Sequence, residues 1–393
     1  MSTVERPVAT EHSVNPPELL VSVVIPCLDE EDTIERCVNE AREALETNGY
    51  AGEVIVVDNG STDNSAALAE KAGARVVAEQ RRGYGSAYLA GFGAARGRYV
   101  VMADGDLTYE LSDIPRFVDQ LEAGADVVIG DRMDNIEPGA MHWLHRYVGN
   151  PLLSGTLNLF FRTGVRDAHC GMRALRSAVI PRLDLRTLGM EFASEMVIRS
   201  SKEHLRVEQL AIHYRPREGE SKLARYRDGW RHLRFLLIHS PTHLFVIPGA
   251  AMSALGALVI VTVIASIHVL GRRWDIHAEI AGSLLVIVGT QILALGLAAH
   301  AYGAYFMGER DAWFDRMRAR FRLEHGLVLG GGLILAGLGL GAAIVVTWIE
   351  RGFGQLSEER VALLAGVLFI VGVQIFFSSF LLSILGLRRL DRR

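Results

Sequence analysis

Four long apolar stretches fill the second part of this sequence and limit what it can fold into. They run near Leu244–Leu270, Ile280–Met307, Leu327–Ile349 and Val361–Leu387. Each approaches or exceeds the ~20 residues an α-helix needs to cross a bilayer. The pattern predicts an all-α transmembrane bundle of four helices over residues 244–393. Polar residues within the stretches are few (Gln291, His300 and Gln374) and none is charged, which argues against an ion-coupled pathway. Basic residues flank them unevenly. Lys222, Arg225, Arg227, Arg231 and Arg234 precede the first stretch, and Arg310, Arg316, Arg318, Arg320 and Arg322 follow the second. The opposite loops hold only Arg272 and Arg273, then Arg351 and Arg360. Positive-inside bias places the N-terminal part and the C-terminus in the cytosol, on a multi-pass cytoplasmic membrane protein.

The part before residue 240 is charged and reads differently. Residues 1–20 are polar, carry a Pro pair and lack an apolar core segment, so they read as a disordered tail rather than a signal peptide. Cys27, Cys37 and Cys170 form no metal-ligand spacing and no even disulfide set, which suits a reducing compartment. A net charge of −4 offers nothing to nucleic acid. Short β-branched runs at 21–26, 53–58, 74–79, 98–104 and 125–130 alternate with helical stretches of about a dozen residues. Uninterrupted apolar runs between helices indicate a buried, mostly parallel sheet, so residues 21–220 are expected to form a Rossmann-like α/β domain. Ligands of such sheets bind beyond the carboxyl ends of the strands.

The residues at those ends are polar. Pro26-Cys27-Leu28-Asp29-Glu30-Glu31 follows the first run and Asp58-Asn59-Gly60-Ser61-Thr62-Asp63 the second. Both segments also resemble helix starts. Asp58, a carboxylate at a strand tip, is suited to accept hydrogen bonds from the N–H edge of a base. Asp104-Gly105-Asp106 follows the fourth run, and two carboxylates in a tight glycine turn can share one hard divalent cation that also holds diphosphate oxygens. His142, His145 and His169 match no zinc spacing and read as solvated or hydrogen-bonding histidines.

Taken with RRGYGSAYLAGF, VVIGDRM, VRDAHCGMRAL and EGESKL, these segments resemble the family-2 glycosyltransferases of GT-A fold, in the polyprenyl- and dolichol-phosphate sugar synthase branch. The resemblance covers about residues 21–223. It implies that Pro26, Leu28, Glu30, Asp58 and Asp104 line the nucleotide site and that Asp104 and Asp106 bind Mg²⁺ or Mn²⁺. Thr108 stands where related synthases often add a Gln ligand, and Leu28 where mannose synthases often carry Tyr, which favours a uridine donor such as UDP-glucose. Arg132 and Arg146 match arginines that contact phosphate, Asp167 an aspartate facing the reacting sugar, and Ser221 and Lys222 a motif beside the acceptor entrance. Asp106, Asp167 and Arg132 would carry catalysis, while Glu191 and Glu195, near Met190 and Phe192, are candidates for the sugar pocket. The implied partners are a nucleotide-sugar, a polyprenyl-phosphate acceptor, the membrane, a homo-oligomer, and a downstream flippase or glycosyltransferase.

A phosphate acceptor also makes chemical sense. A sugar hydroxyl needs a carboxylate base, whereas a phosphate monoester is mostly dianionic near neutral pH and attacks directly, with inversion. Residues 221–243 support it: Leu223, Tyr226, Trp230, Leu233 and Leu237 recur at helical spacing with Arg225, Arg227 and Arg231 on other faces, as in helices lying in a membrane interface. Two alternatives stand. A processive polysaccharide synthase would carry QxxRW on a cytosolic helix, but the only RW here is Arg273-Trp274, after Leu270, Gly271 and Arg272. A lipid transporter or scaffold with a degenerate transferase domain is the other.

Overall fold

The computed structural model describes residues 19–218, 225–269, 271–306, 312–354 and 358–387. The chain divides into two compact units, residues 1–236 and 237–393.

The first unit is an α/β domain. Its elements are β1 (Val21–Cys27), α1 (Ile34–Thr47), β2 (Gly52–Asp58), α2 (Ser65–Lys71), β3 (Arg75–Ala78), α3 (Tyr84–Ala94), β4 (Tyr99–Met102), α4 (Ile114–Glu122), β5 (Val127–Asp131), α5 (Asn150–Phe161), β6 (Arg173–Arg176), α6 (Ile180–Leu183), α7 (Phe192–Lys202), β7 (Val207–Ala211) and α8 (Arg225–Ile238). One sheet carries all seven strands in the order β3-β2-β1-β4-β6-β5-β7. Every pairing is parallel except those of β6, which runs antiparallel between β4 and β5. The five anticipated runs are all strands. Val23, Val24, Ile25, Val54–Val57 and Val100–Met102 are buried, as expected of strands covered by helices on both faces.

β6 and β7 carry no such run. In Arg173-Ala174-Leu175-Arg176 the first arginine is itself buried, donating to the carbonyls of Ala168, Cys170 and Ala193 at 2.8 Å each. A strand built on a buried arginine has no apolar signature to read.

α8 occupies part of the stretch expected to lie in an interface. His232, Phe235 and Leu236 are buried, the latter two within the α/β core, and Trp230 is exposed. Positions i, i+3 and i+4 make one helical stripe, and the domain takes the stripe next to the one expected to lie in the membrane interface. Leu223 lies outside the described residues.

In the second unit, four helices are long and apolar enough to cross a membrane: Thr242–Ile264, Ile276–Phe306, Leu323–Glu350 and Glu359–Gly386. They comprise α9 (Ile247–Ile264, with the helical turn before it), α10 (Ile276–Phe306), α12 (Leu323–Glu350) and most of α13 (Glu359–Leu387), with α11 (Ala312–Arg320) between the second and third. α9 ends earlier than hydropathy suggests, because Ser266 turns left-handed at φ 52° ahead of a short strand pair, His268–Val269 with Arg272–Arg273. Glycines seven residues apart bring the helices together. A Cβ on Gly256 would meet the Gly282 carbonyl at 2.5 Å, and one on Gly330 the Gly372 carbonyl at 2.8 Å. In lipid, where tails are as apolar as Leu, such close backbone approach is a main source of helix association. The expectation of uncharged spans needs correction. α10 begins before the apolar run and includes Glu279, fully buried and without a hydrogen-bond partner among the described residues.

Candidate active site

The carboxyl ends of β1, β2 and β4 lie side by side, with Pro26 opposite Val57 and Cys27 opposite Asp58 in the parallel register. The loops that follow clamp each other. Asp29 N donates to Ser61 Oγ at 3.0 Å, Thr62 N to Asp29 Oδ1 at 2.6 Å, Glu30 N to Ser65 Oγ at 2.8 Å and Glu31 N to Asp63 Oδ2 at 3.1 Å. The polar residues that resembled helix caps thus join two loops instead. Asp58 Oδ1 accepts from Ser61 N at 3.0 Å, and Pro26, Leu28, Glu30 and Asp58 are all half-buried along this edge.

Asp104 and Asp106 leave the tip of β4. Tyr84 Oη donates to Asp104 Oδ1 at 3.1 Å and Tyr88 Oη approaches it at 3.5 Å. Burial, and then the neighbouring Asp106 carboxylate, push the Asp104 carboxyl up to about 7. On Asp106, Oδ1 accepts from Thr108 Oγ1 at 2.6 Å and Thr108 N at 3.2 Å. Its Oδ2 lies 3.4 Å from Arg217 Nε, and Arg217 Nη2 reaches Glu30 Oε1 at 2.9 Å. One guanidinium therefore bridges a carboxylate after β1 and another after β4.

Two glycines make this geometry available. Gly83 sits at φ 148°, where a Cβ would strike the Leu188 carbonyl at 2.1 Å, and it starts the helix that carries Tyr84 and Tyr88. A Cβ on Gly171 would lie 2.5 Å from Asp104 Oδ2, so the 167–171 loop passes directly against that carboxylate.

The same loop holds Asp167, which is 0% exposed. Arg132, just past β5, donates Nε to Asp167 Oδ2 at 2.6 Å and Nη2 to Oδ1 at 2.8 Å, and its guanidinium stacks 4.9 Å from the Tyr214 ring. Burial alone would raise the Asp167 carboxyl, but the Arg132 charge and its hydrogen bonds together outweigh it and hold the group below the usual range. Both Asp167 oxygens are paired with Arg132, since a fully buried carboxylate is costly unless a cation and its hydrogen bonds compensate it. Next to it, His169 stands 4.7 Å from His232, ring edge to face, with Ser194 Oγ at 3.4 Å from His169 Nε2 and 3.2 Å from His232 Nδ1. Burial first, and then His232, push the His169 imidazole down to about 3.

Other expected site residues are placed as follows. Arg146 lies on the helical turn His145–Gly149, 5.4 Å over the Tyr147 ring. Glu195 is buried and accepts from Arg186 N, Thr187 N and Thr187 Oγ1, so it holds the 186–187 loop rather than presenting itself to a sugar. Glu191 is half-buried at the start of α7. Ser221 and Lys222 lie outside the described residues. Sequence reasoning missed Arg217, Tyr84 and the tie made by Arg173. The tyrosine and Arg173 fall inside quoted segments, GYGSAY and CGMR, while Arg217 lies just before EGESKL and has no signal of its own.

Hard oxygen donors fit a divalent cation at Asp104 and Asp106. Burial, and then the second carboxylate beside it, raise Asp104, and among the described residues no group of three His, Cys, Asp or Glu side chains is arranged to hold a metal ion. A cation there would take its remaining ligands from substrate phosphates and water, as Mg²⁺ commonly does.

Comparison with known proteins agrees with this architecture. Residues 22–183 match the family described as glycosyl transferase family 2, and residues 297–386 match the glycosyltransferase family 2 C-terminal transmembrane region. The low-salt glycan biosynthesis hexosyltransferase Agl6 of Haloferax volcanii is 38% identical over 93% of this chain and 89% of its own length. An undecaprenyl-phosphate 4-deoxy-4-formamido-L-arabinose transferase of Pseudomonas fluorescens is 28% identical over 77% of this chain and 89% of its own. Among solved structures, glucosyl-3-phosphoglycerate synthase from Mycobacterium tuberculosis, in complex with phosphoglyceric acid, superposes with a TM-score of 0.47 at 23% identity, covering 56% of this chain and 80% of that one. With a family match on its α/β unit, another on its apolar helices, and an extensive relative in Agl6, the chain belongs to glycosyl transferase family 2, as a membrane glycosyltransferase.

Proposed function

We propose that the protein transfers a sugar from a nucleotide-sugar, UDP-glucose being the favoured kind of donor, to a polyprenyl phosphate at the cytosolic membrane face, with inversion. The observation that carries the acceptor class is the Asp167–Arg132 pair. An alcohol acceptor needs an unengaged carboxylate within reach to take its proton. Both Asp167 oxygens are held by one arginine, and Arg132 is 6% and Asp167 0% exposed. A phosphate acceptor brings its own charge and asks only for cations that hold it beside the donor diphosphate.

The residues divide that work. Pro26, Leu28, Glu30 and Asp58 line the nucleotide, Asp58 offering an acceptor edge to the base. Asp104 and Asp106 hold Mg²⁺ or Mn²⁺, which when bound neutralises developing charge on the leaving diphosphate. Arg132 presents a fixed positive charge to the phosphates, and Asp167 keeps its fork in one orientation. Arg146, Ser221 and Lys222 meet the acceptor. Glu191 borders the sugar. The basic loops of the sequence support a cytosolic catalytic domain. The alternative of a processive synthase loses support from Arg272 and Arg273, which lie in a short strand pair rather than on a helix.

Purified protein incubated with polyprenyl phosphate, Mg²⁺ or Mn²⁺ and a panel of UDP- and GDP-sugars tests the reading through nucleoside diphosphate release. Release that requires lipid phosphate, metal and Asp106 supports it and names the donor. Release with a sugar alcohol and none with lipid phosphate sinks the acceptor class.

A further inference from the structure

Asn59 follows directly on Asp58, the last residue of β2, and has a different task. It is 5% exposed, and its backbone N–H extends the β1–β2 ladder by donating to Cys27 O at 2.9 Å. Its side chain turns to the segment that joins β3 to α3. Nδ2 donates to the carbonyls of Glu79 at 3.0 Å and Arg81 at 2.8 Å, and Oδ1 accepts from Gly83 N at 2.7 Å. Both amide hydrogens are thereby used. An aspartate of the same shape would offer no donor when ionised and would set its charge against two carbonyl oxygens. The site therefore asks for a carboxamide, and not merely for a polar side chain.

What Asn59 fixes leads to the carboxylates after β4. Gly83, its last partner, starts α3, and Tyr84, the first residue of that helix, donates its Oη to Asp104 Oδ1 at 3.1 Å. One turn on, Tyr88 Oη donates to Ala103 O at 3.2 Å, so α3 meets the tip of β4 at two points. The edge assigned to the base and the carboxylate assigned to a cation thus share one anchor, in the residue after Asp58.

We propose that Asn59 is a positioning residue for the metal site: it holds the start of α3 where Tyr84 can orient the Asp104 carboxylate. The inference rests on reading Asp104 and Asp106 as ligands of a divalent cation. Groups that hydrogen-bond a ligating carboxylate fix its direction, and losing one typically weakens metal binding by about 10–100-fold. Asn59 acts through the tyrosine and not by touching the metal.

The test uses the full chain in nanodiscs with Mn²⁺ alone, free Mn²⁺ being followed by its electron paramagnetic resonance signal. Asn59→Ser, Tyr84→Phe and their double variant are titrated, each with a melting curve. Each single substitution should weaken Mn²⁺ binding by about tenfold or more. The double should bind no more weakly than the worse single, because both losses pass through one hydroxyl. Asn59→Asp keeps the side-chain volume and the bond to Gly83, and serves where the serine variant does not fold. Its added negative charge would by itself attract Mn²⁺, so weaker binding there reports position and not charge. A lower melting temperature with wild-type Mn²⁺ affinity in the Asn59 variants overturns the proposal and leaves Asn59 a purely structural tie. Losses that multiply in the double variant overturn the route through Tyr84. A wild type that takes up no Mn²⁺, or binds it equally after Asp106→Ala, removes the metal reading itself and this role with it.

Discussion

Two pairs of ionisable residues meet near the strand ends, and they solve burial in opposite ways. Asp167 and Arg132 are opposite charges, hydrogen-bonded bidentately and nearly closed to solvent. Asp104 and Asp106 are like charges, held by hydroxyl donors and one neighbouring guanidinium, and their repulsion helps push Asp104 up to about 7. The first pair is complete without a ligand. The second has surplus negative charge that a divalent cation would relieve. This site therefore combines an element whose charges are already balanced with one whose surplus negative charge a bound cation would balance.

Asp106→Ala breaks that contrast most severely. Transfer should fall by about 10³-fold or more, since removing one arm of a charge-stabilising site typically costs this much. The fold should persist, because among the described residues Asp106 anchors only Thr108 and Arg217. Diphosphate release and thermal melting of the same preparation separate the two effects.

The closed pair should respond in stability. Arg132→Ala or Asp167→Ala each leaves a buried charge uncompensated and should cost about 3–5 kcal/mol. Replacing both, as Arg132→Met with Asp167→Leu, should return most of the stability without returning activity. Denaturant titration of the singles and the double, read as a cycle, checks it. Near-equal stability of all three would mean the pair is not the buried ion pair described.

How much of this was legible beforehand follows from what each residue answers to. The β-branched runs of β1, β2 and β4 answer to burial on both faces, and their alternation with helices is visible in one sequence. Asp104 and Asp106 were visible because they follow such a run directly. The pairing of Arg132 with Asp167 spans 35 positions and depends on the strand order, which no local pattern encodes. Glu195 looked like a pocket residue because exposed and buried carboxylates read alike in sequence. Arg217 was hidden because its partners lie after β1 and β4.

The contrast sharpens on acidification. His169 has a lowered pKa, near 3, so the stability from keeping it neutral is present above its unfolded value of about 6.5 and is lost as pH falls below that. Asp104 has a raised pKa, so it favours the folded state at low pH, and that advantage is lost as pH rises through about 7. Between pH 7 and pH 5 the two oppose each other, each worth up to about 2 kcal/mol. His169→Gln should make the metal-free protein more stable at pH 5 than at pH 7, and Asp104→Asn should do the reverse. Melting curves at the two pH values decide it: the same slope in both variants would remove the assignment of opposite signs.

The smallest effect belongs to Arg217. Its guanidinium occupies the negative edge between Glu30 and Asp106, where it competes with a divalent cation for the same oxygen. Arg217→Gln removes a charge that is about three-quarters buried rather than screened at the surface. Mn²⁺ binding without nucleotide should tighten by several-fold, on the order of 1 kcal/mol for a partly solvated charge pair. Titration of Mn²⁺ followed by its electron paramagnetic resonance signal measures this directly. Weaker binding in the variant would instead make Arg217 a support that orients Asp106, and would move it from the open pair's competitor to part of its scaffold.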